Sequence, residues 1–221
     1  MQSLDNKSRY VNPAGYAPGV ATRSYTAGLR RGSPESVDRV LEAAERLIRE
    51  DSFHTATMEE LAAAAGVSRA TVFNRFGSKL GVLQALFTRG MEGPEMKAIQ
   101  DALEIEDPVE ALHAVIDAAC AIWEAQGFVH EQLQAIVVLE PEASAMVDQQ
   151  REQQRTEIQG LTRRLARAGR LRRGLSEARA VATLHMLTSL ESFLWLRREH
   201  GLSLRQTRET IAELAGTLIR D

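Results

Sequence analysis

Apolar residues along this chain recur at three- and four-residue steps, and nowhere convincingly at every second position. Val37, Val40, Leu41, Ala44, Leu47 and Ile48 make one such stripe over four turns. Ser33 precedes it as an N-cap, with Pro34 at the first helical position, where a missing N–H costs nothing. A second start follows at TMEE, where Thr57 and Glu60 form a capping box. Met58, Leu61, Ala62 and Ala65 then face one way, and Gly66 closes the helix. Ser68 caps a short third helix whose inward side chains are Val72 and Phe76, four residues apart. Gly77 and Ser78 stop it, and Lys79 to about Arg89 predicts a fourth, with Leu80, Leu83, Leu86 and Phe87 apolar.

Beyond Pro94 the periodic segments lengthen, predicting helices over about residues 108–126, 128–139, 142–168, 177–199 and 203–219. The fold class is therefore all-α. A flexible N-terminal arm over residues 1–33, rich in Gly, Ser, Pro and Ala, precedes a three-helix head over 34–90 and a larger helical body over 91–221.

Charge sharpens this division. The net charge is −3, but residues 1–90 hold 12 Lys/Arg against 9 Asp/Glu, and residues 91–221 hold 15 against 21. A basic front on an acidic back is compatible with nucleic acid at one end. The 26% charged and 44% hydrophobic content is that of a globular chain. Apolar runs fall short of a membrane span and the N-terminus lacks a signal-peptide core, so a cytoplasmic address is expected. A single cysteine, Cys120, excludes an intrachain disulfide and any multi-cysteine zinc site.

The stretch AGVSRATVFNRFGSK carries Arg69, Arg75 and Lys79 and no acid. Two helices joined by a Gly-containing turn, the second short and basic outside, describe a helix-turn-helix. The same spacing also suits an ordinary corner of a helical bundle. With Val72 and Phe76 turned inward, Arg69, Ala70, Thr71, Asn74 and Arg75 occupy the outer arc. They supply what a major groove reads: Arg for guanine, Asn for adenine, Thr and Ala for a thymine methyl. Thr57 and Ser68 put hydroxyls and free helix N–H groups where phosphates could dock, and Lys79 adds a charge.

TATMEELAAAAGVSRATVFNRFGSKLGVLQALF, with SPESVDRVLEAAERLI before it, resembles the N-terminal DNA-binding domain of the tetracycline-repressor (TetR) family. The resemblance lies in a Thr opening the second helix, the L-A-x-x-A-G-V-S core, an aromatic-containing recognition helix ending in Phe, and the Ser-Lys that follows. It implies that Thr57 and Lys79 touch phosphate and that Ser68, Arg69, Ala70, Thr71, Asn74 and Arg75 form the recognition surface. Two residues depart from the family's pattern. Phe73 stands where Tyr is frequent and has no hydroxyl for a phosphate, and Asn74 stands where Tyr or Trp is usual and offers an amide. The resemblance thus implies an operator preference different from that of close relatives.

In the body, SEARAVATLHMLTSLESFLWLRREHG is apolar nearly all round, and SLRQ opens a final amphipathic helix with a capping box at Ser203 and Gln206. The resemblance implies that these last two helices pair with their copies in a homodimer, through Leu184, Leu187, Leu190, Leu194, Ile211, Leu214 and Leu218. It also implies an effector pocket among the middle helices, for which Trp123, Phe128, His130, Met146 and Met186 are candidates; each is also an ordinary core residue type. His113, Asp117 and Cys120 share one face at i, i+4 and i+7 and could make a metal or thiol sensor, but Glu110 and Glu124 beside them mark a solvated face. The arginine run from Arg163 to Arg173 spans a helix C-terminus and is assigned no second nucleic-acid site. Arg30 or Arg31 of the arm could enter a minor groove, against the plainer reading of a passive tail.

The expected function is a non-enzymatic, sequence-specific transcriptional regulator. Its expected form is a homodimeric repressor released from a palindromic double-stranded DNA operator by a small molecule, with no cofactor and no resident metal. The alternative is a helical sensor or enzyme using His113, Asp117 and Cys120. The sequence names neither effector nor operator, and does not separate a repressor from an activator.

Overall fold

The structure is a computed structural model and describes residues 34–136 and 141–220. The expected arm, with Arg30, Arg31 and the capping Ser33, lies outside the described residues, as does the end of the segment expected at 128–139. Among the described residues the chain is helical throughout, with one isolated antiparallel bridge between Leu171 and Ile219. The head comprises α1 (Pro34–Arg49), α2 (Met58–Ala65), α3 (Arg69–Phe76) and α4 (Lys79–Met91). The body comprises α5 (Pro94–Glu104), α6 (Pro108–Ile136), α7 (Pro141–Arg167), α8 (Glu177–Leu187), α9 (Leu190–Leu194), a π-helical segment (Trp195–Glu199) and α10 (Leu204–Gly216).

Local chemistry accounts for the starts and stops of the head. Thr57 accepts from the Glu60 N–H while the Glu60 carboxylate accepts from the Thr57 N–H at 2.7 Å, completing the expected capping box. Gly66, in the left-handed region at φ 63°, ends α2, with Val67 N–H reaching the Ala62 carbonyl and Gly66 N–H that of Ala63. Two arginines of α1 reinforce this end: Arg46 donates to the Ala64 carbonyl and Arg39 to that of Gly66. Arg89 of α4 pairs with Glu45 of α1, closing the head on its other side.

The body departs from the sequence reading in three places. Helix α5 was not expected, yet Gly93 precedes Pro94 at its first turn and Ile99 and Ala102 bury its inner face. Arg164 of α7 takes the carbonyls of Leu103, Ile105 and Glu106 at its C-terminal end, so one arginine of the basic run serves a helix terminus. The two helices expected at 108–126 and 128–139 form a single α6 through Gly127. This buried glycine is a point of close approach rather than a turn, because a Cβ there would lie 3.1 Å from the Leu190 side chain.

The single apolar helix expected at 177–199 is broken instead. The Thr188 hydroxyl bonds back to the Leu184 carbonyl, and Ser189 caps a new helix by accepting from Ser192. The Thr188 carbonyl receives Trp123 Nε1 at 2.8 Å and Gln154 Nε2 at 3.1 Å, so α6 and α7 both anchor the break.

Two apolar clusters result. One fills the body from α5 to α10 around Leu112, Ile116, Leu161, Leu165, Leu184 and Ile211. The other fills the head around Val40, Leu61, Val72 and Val82, but it also contains Val129 and Leu133 of α6 and Val147 of α7. Helix α6 therefore belongs to both cores. Replacing the fully buried Leu133 by Ala should cost about 2–5 kcal/mol in urea unfolding. A loss below about 1 kcal/mol would show that α6 is not part of the head's core.

Candidate nucleic-acid interface and internal chamber

Helix α3 is only eight residues long and is held by its two ends and two anchors. Ser68 accepts from the Thr71 N–H at the front, Gly77 ends it at φ 69°, and Val72 and Phe76 are buried beneath it. Its other face is open. Ser68, Arg69, Ala70, Phe73 and Asn74 are exposed, while Thr71 and Arg75 are half-buried. Phe73 is 60% exposed, an aromatic ring offered to solvent at the middle of this face. No carboxylate occurs between Glu60 and Glu92, so no acidic side chain opposes a phosphate at the turn or along α3.

The expected phosphate contacts are more committed than their residue types suggest. The Thr57 hydroxyl is used by its capping box, donating to Glu60 Oε2 at 3.0 Å. The Ser68 hydroxyl lies 2.8 Å from that of Thr71. Lys79 Nζ donates to the His54 carbonyl at 2.9 Å and sits 4.9 Å from the centre of the Phe53 ring. Burial lowers the Lys79 pKa, with nearby Glu60 acting in the opposite sense. The first N–H groups of α2 and α3 have no carbonyl one turn back to bond, and they are the donors that remain at both N-termini.

Residues 40–86, the span of this head, match the model of the bacterial regulatory proteins of the tetR family. The head is thus a DNA-binding domain of the tetR family. The chain's fold is shared well beyond the head. The TetR-family regulator PfmR from Thermus thermophilus is 27% identical, with 83% of this chain covering 100% of that one at a TM-score of 0.66. AibR in complex with isovaleryl coenzyme A and operator DNA is 20% identical, over 83% of this chain and 99% of that one, at 0.66. A transcriptional regulator from Saccharomonospora viridis in complex with choline is 19% identical, over 86% and 100%, at 0.69. No curated protein matches the chain at a significant level. The chain thus carries the helix-turn-helix DNA-binding head of a bacterial transcriptional regulator. Among the described residues no helix is long and apolar enough to cross a membrane.

In the body, the leucines expected to meet a partner mostly face inward. Leu184, Leu187, Leu190, Ile211 and Leu218 are buried within the single chain, and Leu194 is half-buried. They are core residues, because α8, α9 and α10 first cover α6 and α7 of their own chain. The apolar side chains that do face outward are Leu214, Met186 and Trp195, 48%, 57% and 59% exposed, with Ala178 and Ala182 continuing the Met186 stripe of α8.

The pocket candidates also separate. Two cavities share Trp123, His130, Gln150 and Gln154 as a common wall. The smaller one, about 50 Å³, is bounded by Met91, Met96, Ile99 and Ile122, and the larger one, about 330 Å³, by Arg151, Met186 and Glu191. Phe128 lies elsewhere: its ring stacks under the Arg49 guanidinium at 4.0 Å and lines a separate surface cavity of about 470 Å³. Met146 lines none of these cavities. The sequence reading missed the glutamines, whose only signal was the QQREQQ run on α7.

His113 and Asp117 are exposed, but Cys120 is buried in the body core, so the three do not share a surface. No group of three or more His, Cys, Asp or Glu that could hold a metal occurs among the described residues. Burial pushes the Cys120 thiol up to about 11 from an ordinary 9.0. At pH 8 roughly one thiol in a thousand would then be ionised, against about one in ten for an ordinary one. Cys120 should therefore alkylate at least tenfold more slowly in the folded protein than in urea, and equal rates would contradict its burial.

Proposed function

We propose that the protein is a homodimeric repressor that holds a palindromic operator with two α3 helices and releases it when a small molecule enters the chamber between α6, α7 and α8. The observation that carries this reading is the outer face of α3, exposed, free of carboxylate and set on a helix-turn-helix. Arg69, Asn74 and Arg75 would read base edges, and Ala70 and Phe73 would make apolar contact with thymine methyls or sugars. The first N–H groups of α2 and α3, with Thr57, Ser68, Thr71 and Lys79 around them, would meet phosphates. Residues 34–90 would thus form the DNA-binding unit and residues 91–221 the effector and dimerisation unit, in a cytoplasmic protein with residues 1–33 as a basic arm.

The complex of AibR with both an acyl coenzyme A and operator DNA supports a fold that serves both ligands, and the choline complex supports a small-molecule site in the body. The dimer would form through the outward faces of α8 and α10, where Ala178, Ala182, Met186 and Leu214 leave apolar surface uncovered. A two-fold pair presents its α3 helices about one DNA turn apart, ~34 Å. The effector would act only by binding more tightly to the conformation whose head spacing does not fit the operator.

Selection from a random duplex library, followed by binding at several salt concentrations, tests the DNA reading. Asn74→Ala or Arg75→Ala should relax base preference at one position per half-site by ~1–3 kcal/mol. Lys79→Ala should weaken all sequences alike and reduce the salt slope by roughly one unit per protomer. An unchanged selected site with Asn74→Ala would remove that residue from base readout. For the dimer, Leu214→Glu should give a monomer by sedimentation at concentrations where the wild type is dimeric. A variant that still sediments as the dimer would move the interface off this face of α10.

A further inference from the structure

His130 lines both cavities and is 5% exposed. Its ring is clamped from two sides, by Trp123 at 5.1 Å and by Phe87 of α4 at 5.2 Å. Nδ1 lies 3.2 Å from the Gln126 carbonyl one turn back on α6. A carbonyl can only accept, so this contact puts the imidazole proton on Nδ1. Burial lowers the pKa of the ring and favours its neutral form. Nε2 is then a lone-pair acceptor, buried and without a protein partner, on a residue that lines both cavities. A buried acceptor of this kind is costly to leave unmet and favours a ligand that supplies a donor. The smaller cavity is apolar on one side, at Met91, Met96, Ile99, Ile122 and Trp123, and polar where the glutamines and Glu157 of α7 line it.

We propose that the chamber takes a mainly apolar small molecule that donates one hydrogen bond, from a hydroxyl or N–H, to Nε2 of His130. The inference rests on reading the chamber as the effector site and adds the chemistry that site selects. It also gives the ligand a mechanical handle on the head. Gln126, whose carbonyl orients His130, donates through its side chain to the Gly90 carbonyl of α4 at 3.2 Å. The Phe87 ring of α4 touches His130 itself. A ligand seated on Nε2 therefore bears on two α6 residues that hold the C-terminal half of α4, the helix that starts directly after α3.

The test uses two matched probe pairs, 1-naphthol with 1-methoxynaphthalene and 1-decanol with decyl methyl ether, titrated calorimetrically into the full chain. In each pair only the first member can donate. The hydroxyl member of at least one pair should bind about tenfold or more tightly than its ether, as expected for one buried hydrogen bond. His130→Phe, which keeps an aromatic ring between Trp123 and Phe87, should abolish the preference by weakening the alcohol alone. Imidazole ¹⁵N spectra of the wild type check the same point without a variant: Nδ1 should be protonated, and Nε2 should shift with the alcohol and not with the ether. Equal binding within both pairs, a preference that survives His130→Phe, a proton on Nε2, or no binding by any probe would each overturn the proposal.

DNA release, measured in parallel on a selected duplex, separates the two readings. Alcohol binding through His130 that leaves DNA bound would uphold the ligand class and defeat effector-driven release. A ligand that releases DNA equally well from His130→Phe would uphold release and defeat the assignment of His130.

Discussion

The structure depends on one helix being buried twice. α6 runs unbroken from Pro108 to Ile136, with Leu112, Val115 and Ile116 in the body's apolar core and Val129 and Leu133 in the head's. Gly127 lets Leu190 press close against the helix, since an added Cβ would lie 3.1 Å from its side chain. At about 1.5 Å per residue, such a helix is a rigid rod some 40 Å long. Its displacement at one end is therefore felt at the other, since packed cores shift between discrete arrangements rather than deforming smoothly.

That rod meets α4 along a seam of mixed chemistry. Gln126 lies against Gly90, where an added Cβ would collide with its amide, and His130 packs on Phe87. The same two α6 residues also line the chamber, with Met91 of α4 beside them. The head is tied to this seam by the Arg89–Glu45 pair and by Leu83 and Leu86, which sit in its core. On the proposed effector reading, a difference in how tightly the chamber binds a ligand in two arrangements of this seam would be the free energy available to reposition α3.

The head was legible in the sequence because its determinants are local. Thr57 with Glu60, Ser68 with Thr71, and Ser78 with Gly81 act over three residues, and Gly66 and Gly77 take backbone angles that other residues resist. The outer arc of α3 follows once Val72 and Phe76 are turned inward. What the motif did not reveal is that Lys79 already has a partner, because that bond depends on where His54 comes to lie.

The body divides differently. Residue order alone determined that it is helical, that Ser203 and Gln206 start its last helix, and that its terminal helices carry more apolar surface than an isolated helix can expose. Only the tertiary structure decided which neighbour covers that surface. Leu184, Leu187, Leu190, Ile211 and Leu218 turn toward their own α6 and α7, leaving Leu214, Met186 and Trp195 outside. Periodicity states that a face is apolar and is silent on what it packs against. The same limit hid Gly127 as a contact point, the break at Thr188 and the acceptor on His130. Gly127 meets Leu190, Trp123 and Gln154 anchor the break, and Phe87 packs on His130, contacts across dozens of residues that no local pattern along the chain encodes.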